Sequence, residues 1–247
     1  MESHRLASFH SGASLPHLPP YKRVTVVVGH YGTGKTNLSL NLARDAAARG
    51  EKVTLVDFDI VNPYFRSSDH AAALRKQGIE LVAPQYAGTT LEAPAITGAI
   101  TGVLAGDSTV IVDAGGDDAG ATALGRFSAD FDRIDYDMLY VVNRSRNLTA
   151  TPADAARIAR EIEHTSRLSI TGVVGNTHLQ AETTAPLILE SVPFVRETAD
   201  LLGVPLRFVT LPRETVGDVG SALSTDIVLY PVDRIVRPPW ESSDQLD

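Results

Sequence analysis

The sequence predicts an α/β protein with three layers, in which helices cover both faces of a mostly parallel, twisted sheet of about seven or eight strands. Three observations support this prediction. Short apolar segments rich in β-branched residues alternate along the chain with longer segments that carry apolar residues at helical spacing. The strand segments are continuously apolar, as expected of parallel strands buried on both faces. Finally, 247 residues without any cysteine are enough for one domain with its own core and no disulfides.

The individual elements follow from these patterns. The apolar, β-rich runs predict strands at residues 23–28, 53–57, 79–83, 109–113, 137–142, 169–174, 205–210 and 226–230. Helical spacing predicts helices near residues 35–49, 67–77, 92–105, 118–129, 151–165, 186–202 and 213–223. The strict alternation of the two kinds of element favours parallel strands joined by helices.

The helix boundaries carry their own signals. Thr151 followed by Pro152 is typical of a helix N-terminus, because threonine caps free amides and proline fits the first helical position. A glycine stands where three of the helices are expected to end: Gly50, Gly78 and Gly203. Pro186 and Pro193 are expected to divide the sixth helical stretch, since proline lacks the amide that a helix interior needs.

Composition limits the organisation of the chain and its partners. We expect residues 1–20 to form a mobile tail, residues 21–235 the folded domain and residues 236–247 a C-terminal tail. No apolar run approaches the ~20 residues of a membrane span, and the first segment lacks the apolar core of a secretory signal. The sequence therefore favours a cytoplasmic protein without a membrane anchor. The net charge of −8 disfavours direct DNA binding. Four nearby arginines are interpreted as a solvated helix face: Arg144, Arg146, Arg157 and Arg160.

The octapeptide at residues 29–36 is the most specific motif of the chain. It reads Gly-His-Tyr-Gly-Thr-Gly-Lys-Thr and fits the phosphate-binding pattern G-x-x-x-x-G-K-[ST]. A β-branched run precedes it and a helical pattern follows it, so the loop is expected at a helix N-terminus, where the helix dipole favours anions. The pattern assigns Lys35 to the β- and γ-phosphates and the Thr36 hydroxyl to Mg²⁺. The predicted nucleotide-binding residues of this segment are Gly29, His30, Tyr31, Gly32, Thr33, Gly34, Lys35, Thr36 and Asn37.

Carboxylates stand at the ends of two predicted strands. Asp57 and Asp59 end the second strand at positions i and i+2, so their side chains point to the same side of an extended chain. Asp113 ends a buried strand and precedes Gly115 and Gly116. Ligands bind at the carboxyl ends of parallel strands, and Mg²⁺ prefers oxygen ligands. We therefore interpret these aspartates as magnesium-binding candidates rather than as turn formers.

Together these segments resemble the MinD/ParA branch of P-loop ATPases, also described as the CobQ/CobB/MinD/ParA nucleotide-binding domain. The resemblance covers residues 22–232 and is carried by three segments: residues 29–36, 56–60 and 112–116. It implies a P-loop fold with ATP and Mg²⁺ as ligands.

The resemblance also implies a role for each matching residue. Lys35 would hold phosphate, Asp59 would orient the attacking water, and the amide of Gly116 would sense the γ-phosphate. Three side chains would hold Mg²⁺, directly or through water: Thr36, Asp57 and Asp113. In this kind of phosphoryl transfer the protein mainly positions groups and stabilises charge.

One position departs from the family pattern. The family usually has a second lysine directly after the first glycine of the loop, which reaches the nucleotide of a partner subunit, and this chain has His30 there. A neutral imidazole donates a hydrogen bond but carries no charge near neutral pH. The nucleotide-dependent homodimer that the resemblance implies would lack this charge, unless His30 is protonated or an arginine replaces the lysine. Arg66 and Arg144 are the candidates for that replacement.

Two segments bear on the choice of base. The N-K-x-D pattern of many GTPases is missing, and Asn176 follows a buried strand where the family's adenine-reading asparagine is expected. Pro212 follows the next strand, where a loop could cover the base. We therefore predict ATP, while a cap or turn role for Asn176 stays open.

The resemblance implies a slow Mg²⁺-dependent ATPase that acts as a molecular switch, through a homodimer or an unidentified protein client. Two alternatives stay open. A ligase or kinase of the dethiobiotin-synthetase type shares the fold and the loop, and would build a substrate pocket from residues 84–98. A nucleotide-binding adaptor with little turnover is consistent with His30 in place of lysine.

Overall fold

Eight parallel strands form the central sheet. The computed structural model describes residues 21–58, 70–83, 93–115, 118–223 and 226–236. Its strands are β1 Val24–Val28, β2 Val53–Asp57, β3 Ile79–Val82, β4 Thr109–Asp113, β5 Tyr136–Val142, β6 Gly172–Gly175, β7 Leu206–Pro212 and β8 Leu229–Val232. Their order across the sheet is β3-β2-β4-β1-β5-β6-β7-β8, and every pairing is parallel. The predicted α/β class is confirmed.

Helices cover both faces of this sheet. The α-helices of the described residues are α1 Lys35–Ala48, α2 Ala71–Lys76, α3 Ala93–Ala105, α4 Asp118–Gly125, α5 Ser128–Phe131, α6 Pro152–Ser166, α7 Ala185–Leu202 and α8 Val216–Ala222. Val24, Val26 and Val28 lie in one buried cluster with residues of α3, α4 and α6, whereas Val27 lies in a second cluster with residues of α1. Because β1 is buried on both faces, each of its positions is apolar or, at Thr25, hydrogen-bonded.

The helix-end predictions mostly agree with the structure. Thr151 caps α6 by accepting the amide of Asp154, and Gly203 ends α7 in the left-handed conformation with φ of 68°. The prediction that proline divides the sixth helical stretch is wrong, because α7 is continuous and contains Pro193. Its apolar face is buried on both sides of the proline, and this packing outweighs the lost amide. Within the described residues, no helix combines the length and apolarity needed to cross a membrane.

A buried ion pair lies at the amino-terminal edge of the sheet, opposite the carboxyl ends of the strands. Asp137 of β5 accepts hydrogen bonds from the Arg207 guanidinium at 3.0 Å, the Thr171 hydroxyl at 3.0 Å and the Lys22 amide at 2.9 Å. Burial acts to raise the pKa of Asp137, but these bonds and the charge of Arg207 outweigh it and leave the pKa below its ordinary value of 3.8.

We expect Asp137→Asn to lower the free energy of unfolding by about 3 kcal/mol at pH 7, because it removes the buried carboxylate that pairs with the Arg207 guanidinium. A carboxylate whose pKa is lower in the folded state stabilises the fold at pH values above the ordinary aspartate pKa. This stabilisation is lost as the pH falls through the folded-state pKa. The deficit of the variant should therefore shrink as the pH falls below 3.8, as measured by urea unfolding. Asp107→Asn is the control, because Asp107 pairs with Lys52 at the exposed surface. A deficit for Asp137→Asn that is unchanged down to pH 2 would contradict the assignment.

Candidate nucleotide-binding site

The phosphate-binding loop lies at the centre of the carboxyl edge of the sheet. Residues 29–34 connect β1 to α1, and β1 pairs with β4 on one side and β5 on the other. All these strands are parallel, so their carboxyl ends surround the loop. Helix α1 begins directly after Gly34 and has no side-chain cap. Its first amides and its positive dipole end thus face the loop, as anion binding requires.

Three glycines give the loop its shape. Gly29, Gly32 and Gly34 have φ angles of 152°, 74° and 85°, a range that residues with a Cβ rarely adopt. Space is equally limiting, because a Cβ on Gly29 would lie 2.3 Å from the carbonyl oxygen of Val141 in β5. A Cβ on Gly34 would lie 2.3 Å from the side-chain amide nitrogen of Asn176. The motif therefore needs glycine for conformation and for close contact with the neighbouring strands.

The His30 carbonyl organises the interior of the loop. It accepts hydrogen bonds from the Thr33 amide at 3.3 Å, the Thr33 hydroxyl at 2.8 Å and the Lys35 ammonium at 3.2 Å. The Lys35 side chain is buried, with 7% of the residue exposed. The ammonium is thus held inside the loop, where an entering phosphate would meet it. Tyr31 lies at the outside of the loop and is 61% exposed.

Two of the predicted carboxylates lie side by side at this edge. Asp57 and Asp113 are register partners at the ends of β2 and β4, and 4% and 0% of these residues are exposed. Asp113 accepts a hydrogen bond from the Ser39 hydroxyl of α1 at 3.3 Å, which places it beneath the helix that begins at the loop. Thr36, the third predicted magnesium ligand, is also buried, and hydroxyl and carboxylate oxygens are the kind of ligand that Mg²⁺ prefers. In the described part of the chain, no group of three His, Cys, Asp or Glu side chains is arranged to hold a metal.

Asn176 connects the loop to the end of β6. Its amide nitrogen donates to the Thr33 carbonyl at 2.6 Å, and its oxygen accepts the Thr210 hydroxyl of β7. Asn176, the predicted base-reading residue, therefore lies at the loop. Its side-chain oxygen and one of its side-chain N–H groups already form hydrogen bonds with other protein groups. Pro212 ends the neighbouring β7, and its carbonyl accepts the Thr215 hydroxyl at 2.8 Å.

Asn37 makes a contact that the sequence did not predict. Its side-chain oxygen accepts the amides of Ile235 at 2.8 Å and Val236 at 3.2 Å, and its nitrogen donates to the Asp233 carbonyl at 3.0 Å. The side chain thus ties the segment after β8 to the first turn of α1.

Two further side chains reach the loop from the segments that follow β5 and β6. Arg146, from the segment after β5, donates through Nε to the Gly32 carbonyl at 2.8 Å. His178, two residues after Asn176, has its Nε2 atom 3.0 Å from where a Cβ on Gly34 would lie. Burial, and then the charge of Arg146, lower the pKa of His178 to about 4, so its imidazole is neutral at physiological pH. The prediction that Arg146 belongs to a solvated helix face is wrong, because Arg146 lies in the segment between β5 and α6 and its side chain bonds the loop.

The other arginines of the predicted solvated face lie away from the loop. Arg157 pairs with Glu161 one turn along α6, and Arg160 donates to the Leu201 carbonyl. Arg144 is exposed and donates to the Glu190 carbonyl of α7 at 2.9 Å. Several predicted residues lie outside the described part of the chain: Asp59, Arg66, Gly116, residues 84–92 and both predicted tails, except Val236.

A glycine-shaped loop between a central parallel strand and a helix, with a buried lysine and paired strand-end aspartates, defines a P-loop nucleotide-binding protein. The family model for the CobQ/CobB/MinD/ParA nucleotide binding domain matches residues 24–187. The chain belongs to this family.

Solved structures with the same fold include the cell division protein FtsY from Thermotoga maritima, with TM-score 0.51 and 20% identity over 82% of this chain and 65% of that one. The signal recognition particle 54 kDa protein from Aeropyrum pernix, in complex with GDP, has TM-score 0.53 and 18% identity over 78% of this chain and 43% of that one. The chain thus spans less than two thirds of the length of these neighbours. No curated protein matches it.

Proposed function

We propose that the protein is a Mg²⁺-dependent ATP-binding protein and slow ATPase that acts as a nucleotide-controlled switch. One observation carries the proposal: the buried Lys35 lies inside a glycine-shaped loop at the start of α1, and the paired carboxylates of Asp57 and Asp113 lie at the same carboxyl edge of the sheet. A cation for phosphate and oxygens for a divalent ion are the two requirements of a P-loop nucleotide site.

The proposed roles follow the geometry of these residues. Lys35 exchanges its contact with the His30 carbonyl for the β- and γ-phosphates. Thr36 would hold Mg²⁺ through its hydroxyl, and Asp57 and Asp113 would hold it through water. Bound Mg²⁺ supplies charge neutralisation at the phosphates. Asp59 is proposed to orient the attacking water, and the amide of Gly116 to sense the γ-phosphate.

The positions of Asp57 and Asp113 support the proposal that the bound nucleotide controls a conformational switch. Asp57 and Asp113 are the last residues of β2 and β4, and the proposed water-orienting Asp59 and phosphate-sensing Gly116 follow them closely in the chain. Loss of the γ-phosphate would therefore act on the chain segments that follow β2 and β4. We propose that a homodimer or a cytoplasmic protein client responds to this change.

ATP is the proposed nucleotide because the chain lacks the N-K-x-D pattern and has Leu179 three residues after Asn176. A leucine side chain cannot accept the hydrogen bonds through which an aspartate recognises guanine. Competition of ATP and GTP for the purified protein tests this choice, and tighter binding of GTP would overturn it.

We expect Asp59→Ala to lower the steady-state rate of phosphate release at least about tenfold while ATP affinity changes little, because orienting water affects the transition state and not the ground state. Phosphate release and calorimetric binding in Mg²⁺ buffer measure the two effects. Asp107→Ala, at an exposed position, is the matched control. Full activity of Asp59→Ala would refute its role. ATP that stays intact on the wild-type protein would instead favour the adaptor with little turnover.

A further inference from the structure

Arg146 presents unused hydrogen-bond donors at the loop. The residue is half-buried, and its Nε donates to the Gly32 carbonyl at 2.8 Å. Within the described ranges, its Nη1 and Nη2 atoms have no hydrogen-bond or ion-pair partner. A guanidinium is always charged, and its planar donors match the oxygens of a phosphate. The contact with Gly32 thus holds a cation at the loop, and its two Nη groups are available as hydrogen-bond donors.

Other arginine side chains already donate hydrogen bonds to protein oxygens. Arg144 donates to the Glu190 carbonyl, and Arg213 donates to Asp233 at 2.7 Å. Within residues 29–36 the sequence provides one permanent cation, Lys35, and the neutral form of His30 adds none. A nucleoside triphosphate carries more negative charge than a single lysine balances, so a second cation at the loop has a clear electrostatic use.

His178 provides a second donor beside Arg146. Its Nδ1 accepts the Gln180 amide at 3.4 Å, which places the proton of the neutral imidazole on Nε2. Nε2 is buried and, among the described residues, has no hydrogen-bond partner. A buried donor without an acceptor costs free energy, so its position against Gly34 indicates a group that a ligand satisfies. Two adjacent loops thus aim donors at two glycines of the same phosphate-binding segment.

We propose that Arg146, acting within its own subunit, is the second polyphosphate-binding cation of this site, and that His178 supports it as a neutral donor. The proposal rests on the nucleotide-binding function proposed above. It assigns the phosphate chain, rather than the base, as the part of the ligand that Arg146 contacts. It also makes the charge that stabilises the phosphates independent of a second copy of the chain.

The test compares Arg146→Met and Arg146→Lys with Arg157→Met in the full chain. Arg157 is the control, because it is exposed on α6 and pairs with Glu161. Calorimetry with Mg²⁺-ATP and with inorganic tripolyphosphate should show affinity losses of about 10- to 100-fold for Arg146→Met and less than about twofold for Arg157→Met. Arg146→Lys should recover part of the affinity, since the charge remains. The affinity of Arg146→Met should also depend less on salt.

Each other result has a defined meaning. Loss of ATP affinity with unchanged tripolyphosphate affinity would place Arg146 at the base or sugar and overturn the proposal. Equal salt dependence of wild type and Arg146→Met would reduce Arg146 to a structural contact with Gly32 and also overturn it. A wild-type protein that binds neither ligand would overturn the proposed function itself, which separates that failure from the failure of Arg146 alone.

Discussion

Replacing Lys35 by alanine should abolish measurable nucleotide binding, with an affinity loss of at least about 100-fold. Lys35 is the one permanent cation within residues 29–36, and its buried ammonium donates to the His30 carbonyl inside the loop. The loss should appear for ATP, ADP and tripolyphosphate alike, because each presents phosphate to the same point. Isothermal calorimetry in the presence of Mg²⁺ measures these affinities.

The lysine at position 52 offers a matched control. Lys52 is exposed and pairs with Asp107 at the surface, so Lys52→Ala should leave nucleotide affinity within about twofold of the wild type. Circular dichroism should show that both variants are folded. If Lys35→Ala keeps wild-type affinity while folded, phosphate does not bind at this loop, and the proposed function fails.

Replacing Gly29 by alanine should damage the fold itself. The added Cβ would lie 2.3 Å from the carbonyl oxygen of Val141, which belongs to the neighbouring strand β5, and the φ angle of 152° strains any residue with a side chain. Since the obstacle is backbone of a central strand, it cannot turn away as a side chain could. We expect the free energy of unfolding to fall by about 3 kcal/mol and the Tm by about 6–12 °C. Thermal unfolding followed by circular dichroism measures the change.

Gly217 is the control for this substitution. It lies in α8, has no atom within 4 Å of an added Cβ and needs no positive φ. Gly217→Ala should therefore be neutral or stabilise the protein by about 0.5–1 kcal/mol. Equal Tm values for Gly29→Ala and the wild type would mean that the loop conformation described above is incorrect.

Local signals in the sequence were sufficient for the sheet and for the centre of the site. The continuously apolar β1 run, the glycines of the loop and the aspartate that ends β4 each obey a rule that operates over a few residues. Parallel strands bring their carboxyl ends together, so the proximity of Asp57 and Asp113 followed from the fold class, and the structure makes them register partners. The continuity of α7 through Pro193 was not predictable this way, because it depends on packing against the sheet.

The sequence alone thus determined the class of fold, the family and the phosphate-binding loop, since these depend on periodicity and on a motif of contiguous residues. Tertiary structure decided which side chains surround that loop. Arg146 contacts Gly32 across 114 positions of the chain, Asn176 contacts Thr33 across 143, and Ile235 donates to Asn37 across 198. Such contacts arise because the strand order places β5 next to β1 and β6 next to β5, and no local pattern records which distant side chain these strands bring to the loop.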